Sequence, residues 1–250
     1  LLELCPIINT FQNPKIILSR KLDRQRRSNN SNNYNPNGTI KNGIMINGKK
    51  TKLNWINSKK YIKTKNELND IHRKQAAIRT QAHEKLANQI IGLGNRILVE
   101  AMSFSGLLKK AKKTTINIRT GKFNKKKRFG KSLANKAPAM LLKIINRKLK
   151  YDGLEILKIN TPKVKASQYN HFTDEYDKKD LKERWNTTIN IQRDCYSSFL
   201  IMNIKDDLDQ IDRVLCNETY DNFKLLYDKE IQRLRQLKSN GFKLISSMGI

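Results

Sequence analysis

An α/β fold is predicted by three features of the 250-residue chain. Two short apolar runs, residues 97–100 and 155–160, read as strands with a helical stripe at 138–151 between them. A stretch from Ser58 to Gly92 has no internal Gly or Pro and repeats apolar residues at helical spacing. Hydrophobic residues make up 38% of the chain, too many for a disordered polymer, yet no run approaches the ~18 apolar residues of a bilayer span.

In chain order, LLELC at residues 1–5 is the first expected strand. Ile16, Ile17 and Leu22 mark a helix that ends among Arg20, Lys21, Arg24, Arg26 and Arg27. The run SNNSNNYNPNG, residues 28–38, has too little apolar surface to order itself, so a loop without chemistry is expected. Leu68, Ile71, Ala76, Ile78, Ala82, Leu86 and Ile90 then define the long helix, and Gly92 and Gly94 cap and turn it. His72 and His83, about three turns apart on it, are expected to be exposed companions of a basic helix rather than ligands. Residues 97–99 form a strand ending in Glu100. Pro138 suits a first helical turn, Met140, Leu141, Ile144, Ile145 and Leu149 form a buried stripe, and Gly153 closes that helix. EILKIN, residues 155–160, is the next strand, ended by Pro162. Arg193 and Asp194 open a buried helix through Tyr196, Phe199, Leu200 and Met202, and residues 206–237 form an amphipathic helical tail.

This order is that of the latter part of an RNase H-like mixed sheet, in which a carboxylate ending one strand and another on the closing helix converge on a metal site. Glu100 and Asp194 occupy those two places.

Charge divides the chain. Residues 1–150 carry 35 of its 51 basic and 6 of its 22 acidic residues, whereas residues 151–250 carry 16 of each. No acid occurs between Ala101 and Tyr151, and Lys109, Lys110, Lys112, Lys113, Arg119, Lys122, Lys125, Lys126, Lys127 and Arg128 crowd that interval. Such density points to salt-sensitive binding of nucleic acid through counterion release, with a solvated lysine loop as the plainer alternative. Arg128 and Lys131 flank Phe129, which either stacks on a nucleic acid or is buried. Cys5, Cys195 and Cys216 form no CxxC pair, so neither a disulfide framework nor a cysteine zinc site is expected, and a reducing cytoplasm fits. No nucleophile elbow supports acyl transfer.

The segments KLDRQRRSNNSNNYN, HRKQAAIR, RILVEAMSF, KKRFGKSLANKAPAMLLKIINRKL, KASQY and QRDCYSSFLIMN span roughly residues 1–203. Together they resemble the TnpB family, transposon-encoded RNA-guided nucleases related to type V CRISPR effectors and often labelled OrfB transposases. FGKSLANKAPA followed by QRDCYS is the more specific part.

The resemblance implies a RuvC-type RNase H-like domain lacking its first two strands. Residues 1–165 would form its first part, with a helical insertion at about 58–94 and a basic segment at 109–136. A degenerate zinc-ribbon-like insert at 166–190, the closing helix at 191–205 and a helical tail at 206–250 would follow. It further implies Glu100 and Asp194 as the second and third carboxylates of a two-magnesium nuclease centre, with guide RNA and target DNA as partners and no membrane. Lys109, Lys110, Lys112, Lys113, Lys125, Lys126, Lys127, Arg128 and Lys131 would contact nucleic acid. The first carboxylate would lie upstream of Leu1, so this polypeptide alone is expected not to cut. Zinc is not expected, because the insert offers His171 but no cysteine, and Tyr169, Tyr176 and Trp185 are its expected supports. The place two after Asp194, often Asn in the family, is Tyr196. A nuclease-dead RNA-guided DNA-binding protein and a basic structural RNA-binding protein are the alternatives.

Overall fold

The structure, a computed structural model, describes residues 4–43, 45, 46, 49–109, 114–121, 129–178, 180, 183–186, 188–242 and 244. They form two compact units, Leu1–Gly92 with Phe104–Ile145, and Leu93–Ser103 with Asn146–Ile250.

In the first unit, the described end of the expected opening strand is not extended. Leu4 and Cys5 bend, Cys5 has φ 50°, and Pro6–Phe11 form a 3-10 helix. Pro6 has no N–H for a ladder and fixes its own φ, while the left-handed Cys5 ends any extended run. Helix α1 (Gln12–Asn29) follows, then the paired short strands β1 (Met45–Ile46) and β2 (Lys49–Lys50), then α2 (Lys59–Ile91). Ser58 caps α2 by accepting from the Tyr61 N–H, and Gly92 ends it, as the sequence predicts.

Lys15 bonds Gln75 at 2.9 Å and Asn29 bonds Ser58 at 2.8 Å, so α1 and α2 pack as an antiparallel hairpin. Thr64, Gln75, His83 and Ala87 are the buried residues of α2, interleaved with the half-buried Leu68, Ile71, Ile78, Ala82, Leu86 and Ile90 of the predicted stripe. The remainder comprises α3 (Phe104–Leu108), α4 (Phe129–Lys136) and α5 (Pro138–Leu149), whose last four residues fall in the second unit. α4 packs on α3 so closely that a Cβ at Gly130 would meet the Leu108 carbonyl oxygen at 2.7 Å.

In the second unit, β3 (Leu98–Glu100) pairs in parallel with β4 (Leu157–Ile159), Glu100 opposite Ile159. Gly153, at φ 71°, turns the chain after α5. The short α6 (Thr161–Val164) leads to the antiparallel hairpins β5 (Tyr169–Asn170) with β6 (Glu175–Tyr176), and β7 (Trp185–Asn186) with β8 (Ile191–Gln192). Helices α7 (Arg193–Met202) and α8 (Arg213–Ser239) complete the unit. Ile159, Val164, Ile191, Tyr196, Phe199, Leu200, Ile204 and Cys216 are buried together as its core. Helices with small sheets, one of them parallel, are compatible with the predicted α/β class. Among the described residues each sheet has two strands, fewer than the mixed sheet expected.

Candidate functional site

Arg96 fixes how β3 meets α7. Its guanidinium donates to the carbonyls of Met202 (3.5 Å) and Ile204 (3.2 Å) and to Asp206 (3.3 Å), which holds the entry of β3 at the C-terminal end of α7. β3 runs from Leu98 to Glu100, and α7 spans about 12 Å from Asp194 to Met202. α7 packs on β3, with Glu100 ending the strand and Asp194 on the first turn of the helix.

Glu100 is half-buried. Asp194, with a side chain 65% exposed, lies on the first turn of α7, where the macrodipole favours an anion. The turn is built by Gln192, whose Oε1 accepts from the Cys195 N–H at 2.8 Å and whose Nε2 donates to Asp194 Oδ2 at 3.3 Å. Arg193 Nε stands 3.7 Å from Asp194 Oδ1. Two carboxylates on rigid elements suit magnesium, a hard cation that takes one or two protein carboxylates and fills its shell with water or phosphate oxygen. Among the described residues no group of three or more His, Cys, Asp or Glu side chains converges as a metal site.

The basic residues belong to the first unit. Lys109 is exposed just after α3, and Lys131 lies on α4. Lys110, Lys112, Lys113, Lys125, Lys126, Lys127 and Arg128 lie outside the described residues, as does the side chain of Phe129.

The insert expected at 166–190 contains the two hairpins. Tyr169 and Tyr176 pair across β5–β6 with ring centroids 4.9 Å apart, the Tyr169 hydroxyl donates to Asp174 at 2.6 Å, and Trp185 packs against the core. His171 is fully buried beside Phe172, Tyr196, Phe199 and Tyr220. The His171 ring places Nδ1 2.6 Å from the Tyr196 hydroxyl, which also accepts from the His171 backbone N–H (3.2 Å), and its Nε2 has no hydrogen-bond partner among the described residues. Burial, with Arg213 adding repulsion, pushes its pKa down to about 4. Arg213 in turn donates to the carbonyls of His171 (2.8 Å) and Phe172 (2.9 Å), tying the hairpin to the start of α8. Burial also pushes the Cys216 thiol up to about 11, which disfavours a thiolate ligand there.

His83 departs from expectation. His72 is exposed, but His83 is fully buried. Its Nε2 donates to the Lys136 carbonyl at 2.9 Å, leaving Nδ1 to face Cys5 Sγ at 3.8 Å. A buried ring that donates to a part-buried carbonyl is a structural part, and no apolar period announces it.

The asparagine-rich loop is ordered, again contrary to expectation, and hydrogen bonds rather than apolar burial order it. The Asn30 amide donates to the carbonyls of Arg26 and Ile56 and accepts from the Ile56 N–H, all within 2.9 Å. Asn33 donates to the Asn54 carbonyl at 2.6 Å, Asn37 accepts from Thr39, and Tyr34 bridges to Ile40. Over this loop Arg26 stacks on Trp55 at 3.7 Å and Arg27 on Tyr34 at 5.2 Å.

No helix among the described residues is long and apolar enough to cross a membrane. No protein-family model, curated protein or solved structure matches the chain.

Proposed function

We propose that this chain is the RuvC-containing, C-terminal part of a TnpB-type RNA-guided DNA endonuclease. The observation that carries the reading is the packing of α7 on β3, the elements that bear Asp194 and Glu100, with β3 paired in parallel to β4. The one-sided charge supports a polyanionic substrate.

On this reading Glu100 and Asp194 hold magnesium, which when bound supplies Lewis-acid activation of water and stabilisation of the leaving oxygen. The chain's own residues set up that chemistry. Gln192 caps α7 and holds the Asp194 carboxylate against its first turn. Arg193, with its side chain 14% exposed, supplies a fixed positive charge beside it. The Arg96 contacts tie the segment entering β3 to the C-terminal end of α7. The basic interval 109–136 neutralises phosphates of the bound strands.

The test expresses the chain together with the upstream segment that bears the first carboxylate in the family, and with the RNA from the adjacent transposon end. Magnesium-dependent plasmid cleavage is expected, and its loss in Glu100→Ala and Asp194→Ala. Cleavage that survives both substitutions refutes the assignment. One observation favours a second reading, a nuclease-dead RNA-guided DNA-binding protein: both Asp194 oxygens already face donors, Gln192 and Arg193. Guide-dependent DNA binding without cleavage in the extended protein selects it.

A further inference from the structure

The ordered asparagine loop and the end of α1 enclose a shallow recess of about 470 Å3, lined by Arg27, Ser31, Tyr34, Asn35, Pro36 and Lys41. That volume lies within the ~300–1,000 Å3 typical of small-ligand pockets. Its chemistry is specific. Arg27 lies over the Tyr34 ring, held there by Asp23 at 3.1 Å, and remains about half-exposed. A guanidinium fixed on one face by an aromatic ring offers its other face to a planar π-system, and its orientation is set before any ligand arrives. Tyr34 is itself braced edge-on by Trp55 at 5.8 Å, and Trp55 carries Arg26. The Tyr34 hydroxyl is enclosed, with no hydrogen-bond partner among the described residues, so the ring and not the hydroxyl faces the recess.

Gly38 fits the same plan. It sits at φ 78°, and a Cβ there would come within 2.8 Å of Arg27 Nη1, so glycine lets the guanidinium settle against the loop. The surroundings are cationic: α1 carries Lys15, Arg20, Lys21, Arg24, Arg26 and Arg27 against Asp23 alone, and Lys41 closes the far wall.

A stacking plane, neutral amides and hydroxyls for a base edge, and flanking cations for phosphates form the constellation that holds an unpaired nucleotide. A duplex, whose bases are already stacked, uses the cations but not the plane. We propose that this recess seats one unstacked nucleotide of a single-stranded nucleic acid, its base on the outer face of the Arg27 guanidinium and its phosphates at Lys41 and the basic face of α1. This goes beyond the nuclease reading and does not need it, since a protein that cuts nothing holds a strand here equally well.

The test uses the whole 250-residue chain in EDTA, so that no cleavage enters. Fluorescein-labelled oligouridylate and oligothymidylate of about twelve nucleotides, and a duplex of that length, are titrated by anisotropy over a range of salt. Arg27→Ala is expected to weaken single-strand binding roughly tenfold. It should leave the slope of log K against log salt nearly unchanged, because Arg27 meets the base and not a phosphate. Arg27→Lys keeps the slope but not the affinity, because an ammonium has no plane. Lys41→Glu, at an exposed position that does not threaten folding, weakens both single strands. With 4-thiouridine in the oligouridylate, ultraviolet crosslinks map to the peptide containing residues 28–41.

The proposal is overturned if Arg27→Ala and Lys41→Glu leave single-strand affinity within about twofold of the parent, if Arg27→Lys binds as the parent does, or if every crosslink falls in 109–136. Weakening confined to the duplex overturns it too. Oligouridylate bound more tightly than oligothymidylate identifies RNA as the strand, and the reverse identifies DNA. Either ranking supports the seat provided Arg27→Ala abolishes it. None of these readings depends on Glu100 or Asp194, so a failed cleavage assay and a failed strand seat remain distinguishable.

Discussion

Acidification should weaken the second unit through a single ring. His171 is neutral in the folded protein, with a pKa near 4 against an ordinary 6.5, because burial penalises its cation and Arg213 repels it. The unfolded chain takes up a proton near pH 6.5, and the folded chain waits until about pH 4. Between those values the unfolded state binds more protons, so stability rises with pH there. The stabilisation is complete above about 6.5, is lost at about 1.4 kcal/mol per pH unit as pH falls, and levels off below about 4. The total is about 3 kcal/mol, a large share of a typical domain's stability.

His171→Leu isolates this effect, because the carboxylates titrate alike in both proteins. At neutral pH the variant loses the Tyr196–Nδ1 bond and is less stable by about 1–2 kcal/mol. Its acid slope is shallower by the histidine's share, so the two stability curves cross between about pH 5 and 6. Trp55→Phe leaves Trp185, which packs against the core of this unit, as the reporter for urea unfolding, since the chain has two tryptophans. Parallel curves from about pH 7 down to 4.5 would refute the reasoning, because they mean that the ring titrates identically in both states.

Three further outcomes follow from single contacts. Asn30→Ala removes three loop-ordering hydrogen bonds and is expected to cost about 2–3 kcal/mol in the first unit, read from Trp55 fluorescence against urea with Trp185 replaced by Phe. Gln192→Ala removes the cap of α7 and should cost the second unit about 1 kcal/mol, measured from Trp185 in the complementary background. His83→Phe removes the ring donor to the part-buried Lys136 carbonyl, a loss of about 1 kcal/mol, again seen in the Trp55 signal with that of Trp185 removed.

The helices were legible because each has a period and punctuation. Ser58 and Gly92 bracket α2 within a residue, and Pro138 and Gly153 frame α5 and its short 3-10 extension. Where side chains bond the backbone instead of burying apolar surface, the sequence pattern carries no such signal. Asn30, Asn33 and Asn37 order their loop through amide contacts to residues as far as 26 positions away, and composition alone reads that loop as unstructured. The described end of the expected opening strand bends for a local reason, with Cys5 left-handed and Pro6 unable to donate. His83 and His171 share a further lesson, since a lone histidine in a polar sequence is buried in each case because one ring nitrogen meets a fixed oxygen.

The same logic bears on the candidate carboxylates. That Glu100 ends a strand and Asp194 begins a helix was visible in the residues, but the packing of that strand on that helix is not encoded in periodicity. Arg96 links the two. Its bonds to the carbonyls of Met202 and Ile204 tie the segment entering β3 to the C-terminal end of α7. Arg96→Met, which keeps the aliphatic stem but removes those donors, therefore tests the site without touching it. It frees the carbonyls of Met202 and Ile204 and releases that tie, so in the extended protein the magnesium concentration needed for half-maximal cleavage should rise while Glu100 and Asp194 remain in place. An unchanged magnesium requirement would mean that the alignment is set elsewhere, by the Leu98 side chain packed into the core.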